Sequence, residues 1–186
     1  MSIQNASAPV RALWNVWTAA RGGAMTPLKR DFDPSLIAGH LANVWMYRFD
    51  PPGDDFVCLL AGERINEAWG ASLRGRTLRE IVGDADHPGC LGRWRSIIGT
   101  PQIKYAVGRR PRGPGVSRAQ AAETRAEVER IVLPLASSSG AVDHILGMSL
   151  YSCSLELQAL DPPEWADPTW IRCVDLPAGG APTLLT

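Results

Sequence analysis

The sequence lacks the motifs that would assign it at once to a class of enzyme. Its 186 residues contain no G-x-S-x-G, no G-x-x-x-x-G-K-[ST] and no H-E-x-x-H pattern, so serine hydrolase, P-loop and zinc-peptidase chemistry is not indicated. The acidic pairs Asp54-Asp55 and Asp84 with Asp86 lie in turn sequences, where such residues are common. We therefore predict no catalytic and no metal-binding residues and no enzymatic activity. An enzyme of unrecognised type is the alternative.

Paired cysteines and long apolar runs are also missing. Cys58, Cys90, Cys153 and Cys173 are scattered without a C-x-x-C pair, and nothing at the N-terminus resembles a secretory signal. No segment approaches the ~20 apolar residues that a membrane-spanning helix needs. We therefore expect a cytoplasmic protein with reduced thiols and no membrane span.

The chain has no net charge, because 19 basic residues balance 19 acidic ones. Such a balance offers no overall attraction to nucleic acid or to anionic membranes, so neither is an expected partner. The exception is local: the loop from 109 to 120 contains Arg109, Arg110, Arg112 and Arg118. These side chains could bind a phosphate or a nucleotide, or they could form a solvated loop, and both interpretations stay open.

What the chain does contain begins with an amphipathic helix near the N-terminus. Ser7 is a plausible N-cap, and Val10, Leu13, Trp14 and Trp17 follow at the i, i+3, i+4, i+7 spacing of one helix face. Two tryptophans on one face must cover something large, which is either a sheet or a second copy of the protein. The pattern leaves both alternatives open.

The rest of the pattern predicts a short helix, two strands, a block of short helices and three further strands. The strands are expected at 44–49, 55–61, 102–108, 124–135 and 142–151, and Thr77 with Glu80 forms a capping-box pattern within the helical block. Strand groups separated by one helical block indicate an α+β fold with an antiparallel sheet.

Three segments, in this order along the chain, resemble the PAS domain. Their amino-acid sequences are most similar to those of the single-domain PAS proteins of alphaproteobacteria. They are WTAARGGAMTPLKRDFDPSLIAGHL (17–41), FVCLLAGERINEAWGASLRGRTL (56–78) and ERIVLPLASSSGAVDHILGMSLY (129–151). The resemblance implies a PAS-like five-stranded antiparallel sheet in the order 2-1-5-4-3, with a helical lid on one face and an N-terminal helical extension. The implied organisation is an extension over 1–42, a PAS-like domain over 43–153 and a Pro-rich C-terminal tail over 154–186.

The resemblance also implies a function, namely a sensory or regulatory module of bacterial signal transduction. It would act through protein partners, of which a signalling histidine kinase is one, and as a homodimer. Because helices that flank PAS domains commonly mediate dimerisation, the resemblance implies a dimer interface on the N-terminal helix, formed by Val10, Leu13, Trp14 and Trp17. A small apolar ligand could gate it from a pocket between the lid and the sheet, whereas the alternative for the same residues is a solid core. The predicted pocket residues are Phe56, Cys58, Leu60, Ile65, Trp69, Leu78 and Trp94.

Cofactors are the second functional class that the resemblance raises. A haem-carrying sensor would need a histidine on the lid, which here is His87, although an exposed residue in the first turn of a helix is the simpler interpretation. Light-sensing flavin sites of this fold use a cysteine in a helix where this chain reads ERINEAWG, without a cysteine. The identity of any cofactor is therefore unknown, and we expect none. His40 and His144 are expected to be structural.

Overall fold

The computed structural model describes residues 6–110, 126–153 and 169–176. The strands of this described part are β1 (Val44–Asp50), β2 (Asp55–Ala61), β3 (Gln102–Arg110), β4 (Ala126–Ala136), β5 (Val142–Cys153) and β6 (Thr169–Arg172). Its α-helices are α1 (Ala8–Arg21), α2 (Glu63–Trp69), α3 (Leu78–Val82) and α4 (His87–Gly99), and its longest 3₁₀ segment is Pro34–Asn43. None of the described helices combines the length and the apolar character needed to cross a bilayer. Most of the predicted basic loop over 109–120 lies outside the described residues.

The strands form one antiparallel sheet in the order β2-β1-β5-β4-β3-β6. This order confirms the predicted α+β fold and the five-strand order 2-1-5-4-3. The sequence did not predict β6, which pairs with β3 from Tyr105 opposite Thr169 to Gln102 opposite Arg172. It belongs to the predicted tail over 154–186, so part of that segment extends the sheet. Four residues within a Pro-rich segment are too short a run for a periodic pattern to be recognised.

Helices cover both faces of the sheet: the lid lies on one face, as predicted, and the N-terminal helix α1 covers the other. On this other face α1 buries Val10, Leu13 and Trp17 completely, and the indole N–H of Trp17 donates to the carbonyl oxygen of Pro134 at 2.8 Å. The sheet supplies alternate residues to this face, because successive side chains of a strand point to opposite sides. They include Ile103, Tyr105, Ile131, Leu133, Leu135, Leu146 and Met148.

This burial corrects the assignment of Val10, Leu13, Trp14 and Trp17 to a dimer interface. Three of these residues have no exposed surface within the single chain, and Trp14 is half-buried with its ring stacked on Trp17 at 5.7 Å between centroids. Of the two surfaces that the helix could cover, it covers the sheet of its own chain. A face that is already part of the core cannot also meet a second copy unless the helix detaches. Self-association through other surfaces stays a prediction.

The second face of the sheet carries the lid, which consists of α2, α3 and α4. The chain enters it at Gly62, whose backbone lies against the carbonyl groups of Leu41 and Ala42 so closely that a Cβ atom would overlap them. The capping box is present: the Glu80 N–H donates to Thr77 Oγ1 at 3.2 Å, and the Thr77 N–H donates to the Glu80 carboxylate at 2.7 Å. The lid is therefore started and held by local features that the sequence contains.

Candidate functional site

The space between lid and sheet is filled by aromatic rings. Trp94 of α4 stacks on Trp45 of β1 with 5.5 Å between ring centroids and an interplanar angle of 13°. Its ring also meets Tyr47 edge-on at 4.8 Å and Phe56 edge-on at 5.3 Å. Such stacked and edge-to-face pairs are the arrangements that aromatic rings prefer. We call Trp45, Tyr47, Phe56 and Trp94 the aromatic cluster, and it joins the lid to the sheet.

The structure brings six of the seven predicted pocket residues together. Phe56, Cys58, Ile65 and Leu78 are buried in the lid-side core, and Trp69 and Trp94 pack against it while partly exposed. These six side chains thus belong to one hydrophobic cluster between the lid and the sheet. Ligand binding by this set stays a prediction.

Leu60, the seventh predicted pocket residue, lies outside this core and is 43 % exposed. The reason is a β-bulge in the pairing of β1 with β2. Tyr47 pairs with Cys58, but the preceding residue, Met46, pairs with Leu60, so Leu59 is an extra residue on β2. One inserted residue reverses which side of the sheet the following side chains face. The sequence interpretation assumed unbroken alternation along β2, and its assignment of Leu60 to the pocket is wrong.

His87, the candidate haem ligand, is buried rather than exposed in the first turn of its helix. Only 3 % of its surface is accessible, and its Nε2 lies 3.0 Å from Oδ1 of Asp55. The Asp55 carboxylate also accepts hydrogen bonds from the backbone N–H groups of Phe56 at 2.7 Å and Arg79 at 3.1 Å. Iron coordination through Nε2 would have to break the contact with Asp55. The residues present therefore do not fit a haem at this position.

A flavin fits the described residues no better. The segment compared with the flavin-binding helix forms α2, which has no cysteine. Above the sheet, where a flat cofactor would lie between sheet and lid, the indole of Trp94 already stacks on Trp45. Within the described part of the chain, no group of three or more His, Cys, Asp or Glu side chains is placed to hold a metal ion.

Several polar side chains lie on the same face of the sheet as the aromatic cluster. They belong to β5 and β4, the two strands that follow β1 in the sheet order. Ser149 of β5 is fully buried, and its Oγ accepts hydrogen bonds from Nε1 of Trp45 at 2.9 Å and from Nε of Arg130 at 2.8 Å. Nη2 of Arg130 donates in turn to the hydroxyl of Tyr151 at 3.3 Å. The guanidinium of Arg130 is thus held by hydrogen bonds to two hydroxyl groups.

Lys104 lies near this guanidinium, and Arg93 lies near Lys104. Lys104 of β3 is half-buried, and burial, together with the charges of Arg93 on α4 and Arg130 on β4, lowers the pKa of its ammonium group to about 8. We call Arg93, Lys104 and Arg130, with the hydroxyls of Ser149 and Tyr151, the cationic cluster. Sequence reasoning missed it. The available signal was Arg130 itself, a charged residue between Val128 and Val132 on one face of a buried strand.

Comparison with known proteins identifies the family to which this architecture corresponds. A family model described as "PAS domain" matches residues 5–150 of the chain. No curated protein matches the chain.

Solved structures resemble the chain at low identity. The VqmA dimer of Vibrio cholerae is 16% identical, with a TM-score of 0.43 over 59% of this chain and 48% of that one. A light-oxygen-voltage domain studied with a flavin analogue is 16% identical, with a TM-score of 0.45 over 68% of this chain and 90% of that one. An RNA-binding light-oxygen-voltage receptor is 20% identical, with a TM-score of 0.43 over 63% of this chain and 33% of that one. The chain spans about half the length of the VqmA chains that it matches, 52% of VqmA bound to DPO and 48% of the dimer.

Proposed function

Because the chain belongs to the PAS domain family, we propose that it is a regulatory module of bacterial signalling that acts by binding other proteins. The observation that supports protein partners, rather than a stored cofactor, is the packing of Trp94 on Trp45, Tyr47 and Phe56. Because the protein's own aromatic side chains occupy the space between the lid and the sheet, the module acts through its surface. A signalling histidine kinase is the partner that we propose.

The test is the effect of the purified protein on purified histidine kinases of the same cell. We expect at least one kinase to bind it and to change its rate of autophosphorylation with a saturable dependence on protein concentration. The Trp94→Ala variant, which removes the ring that joins lid to sheet, should alter the size of this effect, whereas Trp94→Phe should retain it. If no kinase binds the wild-type protein, the proposed partner is wrong.

Gating by a small apolar ligand is a finer version of the same proposal. Such a ligand would have to replace the ring of Trp94, which is half-buried, since Tyr47 and Phe56 are buried in the sheet. Native mass spectrometry of the purified protein checks this version directly. A bound apolar molecule that is retained in the wild type supports gating, and a protein without added mass, in a preparation that binds its kinase, contradicts it.

Self-association is proposed as well, through a surface other than the buried face of α1. Light scattering should then give about twice the chain mass of 20.1 kDa. A mass of one chain over the whole micromolar range would exclude the homodimer and leave the partner proposal untouched.

A further inference from the structure

We propose that the aromatic cluster is a binding slot for a flat, uncharged aromatic molecule, and that the ring of Trp94 occupies this slot from within the chain. The inference rests on the gating version of the proposed function and names the class of its ligand. Its test uses the isolated protein without a kinase, so a failure of the slot and a failure of the proposed partner are recorded separately.

Three aromatic rings of the sheet form the walls of the slot. The ring of Trp45 is stacked on that of Trp94 at 5.5 Å between centroids, and the rings of Tyr47 and Phe56 lie at 66° and 86° to it. Stacked and edge-to-face contacts of this kind are worth more than the burial of the same apolar area. The slot therefore favours an aromatic ring over an aliphatic group of similar size.

The walls are held by contacts that do not involve the lid. The indole N–H of Trp45 donates to Ser149 Oγ at 2.9 Å, and its ring lies so close to Gly147 that a Cβ atom there would overlap it. The other two rings belong to β1 and β2 and are buried. A site whose walls are already in place binds its ligand with a smaller loss of side-chain freedom.

The helix α4 is also attached at points outside the slot. At its start, His87 Nε2 lies 3.0 Å from Oδ1 of Asp55. Near its end, the side-chain amide of Gln102 donates to the carbonyl oxygen of Ser96 at 3.1 Å, and Ile97 is completely buried. Loss of the tryptophan ring should therefore open a cavity, because a packed core relaxes only partially around a removed side chain. Cavities with apolar walls stay dry and accept apolar molecules of their size.

Trp94 is the one member of the aromatic cluster that the lid contributes, and it is half-buried, whereas the three rings of the sheet are buried. An aromatic molecule from solution can thus take its place without separating the strands. The molecule and the side chain then compete for one position. The wild type should therefore bind such a molecule more weakly than a variant that lacks the ring, since only the fraction of molecules with a displaced ring is competent to bind.

The test is the binding of indole to the Trp94→Ala variant of the full chain. Indole is the group that this variant lacks, and at ten times its dissociation constant it should raise the unfolding temperature by about 3–6 °C. By isothermal titration calorimetry the wild type should bind indole about tenfold more weakly or less. Equal affinities would show that Trp94 does not occupy the slot, and no saturable binding to Trp94→Ala would overturn the proposal.

Trp94→Leu repeats the test in a variant that keeps more apolar volume in the core. It should bind indole more tightly than the wild type and more weakly than Trp94→Ala, because less room is vacated. If Trp94→Ala unfolds on its own, indole should restore its far-UV circular dichroism. No restoration, together with no binding to Trp94→Leu, would contradict the slot.

Trp14→Ala is the matched control. Trp14 is also a half-buried tryptophan on a helix, and its ring is stacked on Trp17 at 5.7 Å with an interplanar angle of 20°. Among the described residues this is its one ring contact, so its removal does not leave a slot with three aromatic walls. Trp14→Ala should show no saturable indole binding. An affinity equal to that of Trp94→Ala would mean that indole binds any apolar surface, and the slot would be wrong.

Cyclohexanol tests the class of ligand, because it is uncharged but neither flat nor aromatic. It should bind Trp94→Ala about tenfold more weakly than indole, since it makes none of the ring contacts. Equal affinities would overturn the preference for aromatic molecules.

The ¹H–¹⁵N signal of the Trp45 indole locates the bound molecule. The stacked ring of Trp94 shifts this signal through its ring current, so the signal should move in Trp94→Ala and return towards its wild-type position when indole is added. The return should saturate with the affinity found by calorimetry. A signal that does not respond while calorimetry reports binding would put indole elsewhere and refute the slot.

Discussion

At the scale of single residues, Gly147 shows how closely the lid-side core is packed. It lies on β5 opposite Trp45 of β1, and a Cβ atom at this position would overlap the Trp45 indole. The absence of a side chain lets the indole lie flat on β5, reach Ser149 and stack with Trp94. The glycine is needed for space, since its backbone is ordinary strand.

Replacing Gly147 with alanine should therefore destabilise the protein. We expect a loss of about 3 kcal/mol in the free energy of unfolding, the upper end of the usual cost of overpacking. Urea unfolding followed by far-UV circular dichroism measures it. The matched control is Gly92→Ala on α4, where a Cβ atom would meet nothing within 4 Å. That change should stabilise the helix by about 0.5–1 kcal/mol, and equal effects at both positions would contradict the packing argument.

Lys104 leads to a prediction about pH. Its pKa is lowered from 10.5 to about 8 in the folded protein, so the unfolded chain binds this proton more tightly. At pH 7 the ammonium group is charged in the folded and in the unfolded state. The folded state is therefore destabilised by the full free-energy cost of keeping this charge partly buried and beside other cations. As pH rises from about 8 to about 10.5 the unfolded chain keeps more of the proton, and this cost to stability disappears.

Lys104→Met should accordingly be more stable than the wild type at pH 7, by a margin that shrinks at pH 9.5. Parallel urea titrations in buffers without oxyanions measure the margin at both pH values. A margin that is the same at the two pH values would mean that the ammonium group of Lys104 does not bear the proposed cost.

At the scale of elements, α4 is fixed to the hairpin of β1 and β2 through two consecutive aspartates. His87 contacts Asp55, and Arg95 forms an ion pair with Asp54 while its guanidinium lies 5.5 Å from the centre of the Phe49 ring. The sequence analysis placed both aspartates at the turn before β2, began that strand at residue 55, and gave neither carboxylate a role in packing. In the structure Asp55, the first residue of β2, is buried, and its carboxylate joins β2 to the starts of α3 and α4.

Asp55→Ala should cost about 3 kcal/mol in the free energy of unfolding, because it leaves buried donors on His87 and on two backbone N–H groups without their acceptor. Asp84→Ala is the matched control. Asp84 pairs with the side chain of Arg79 at 2.7 Å but is 85% exposed, so its loss should cost at most about 1 kcal/mol. Chemical denaturation of the two variants measures both losses in the free energy of unfolding. Similar losses would show that the carboxylate of Asp55 does not join these elements.

At the scale of the whole molecule, the sheet is a central layer between α1 on one side and the lid on the other. The first helix is tied to the sheet at both ends of its buried face. The Ser7 N–H donates to the Glu129 carboxylate at 2.8 Å, and the Trp17 indole N–H donates to Pro134. The side chain of Cys173, just after β6, is buried in the same core. The N-terminal segment is thus part of the domain's core.

Trp17→Ala should therefore lower the free energy of unfolding by about 3–5 kcal/mol, as for other fully buried aromatic residues. Trp14→Ala, one turn earlier and half-buried, should cost clearly less. Urea unfolding gives the two values, and light scattering of the folded variants shows whether either changes the mass. A Trp17→Ala protein as stable as the wild type would contradict the placement of α1.

Much of the fold follows from short-range patterns. The capping box at Thr77, the turn between Asp50 and Asp55 and the alternation of Ile131 with its neighbours each act over a few residues. Such signals determine which segments are helices or strands and in what order they occur. The order of the elements, with the three PAS-like segments, was sufficient to predict the topology of five strands.

The tertiary structure alone decided what these elements meet. The bulge at Leu59 exposes Leu60, α1 packs on its own sheet, and Arg130 reaches Ser149 across 19 positions of sequence. Burial, strand register and long-range hydrogen bonds depend on which distant segments come together, and periodicity within one segment does not contain that information. The sequence by itself therefore determined the architecture, and the tertiary structure decided that the space beneath the lid holds aromatic rings beside a group of cations.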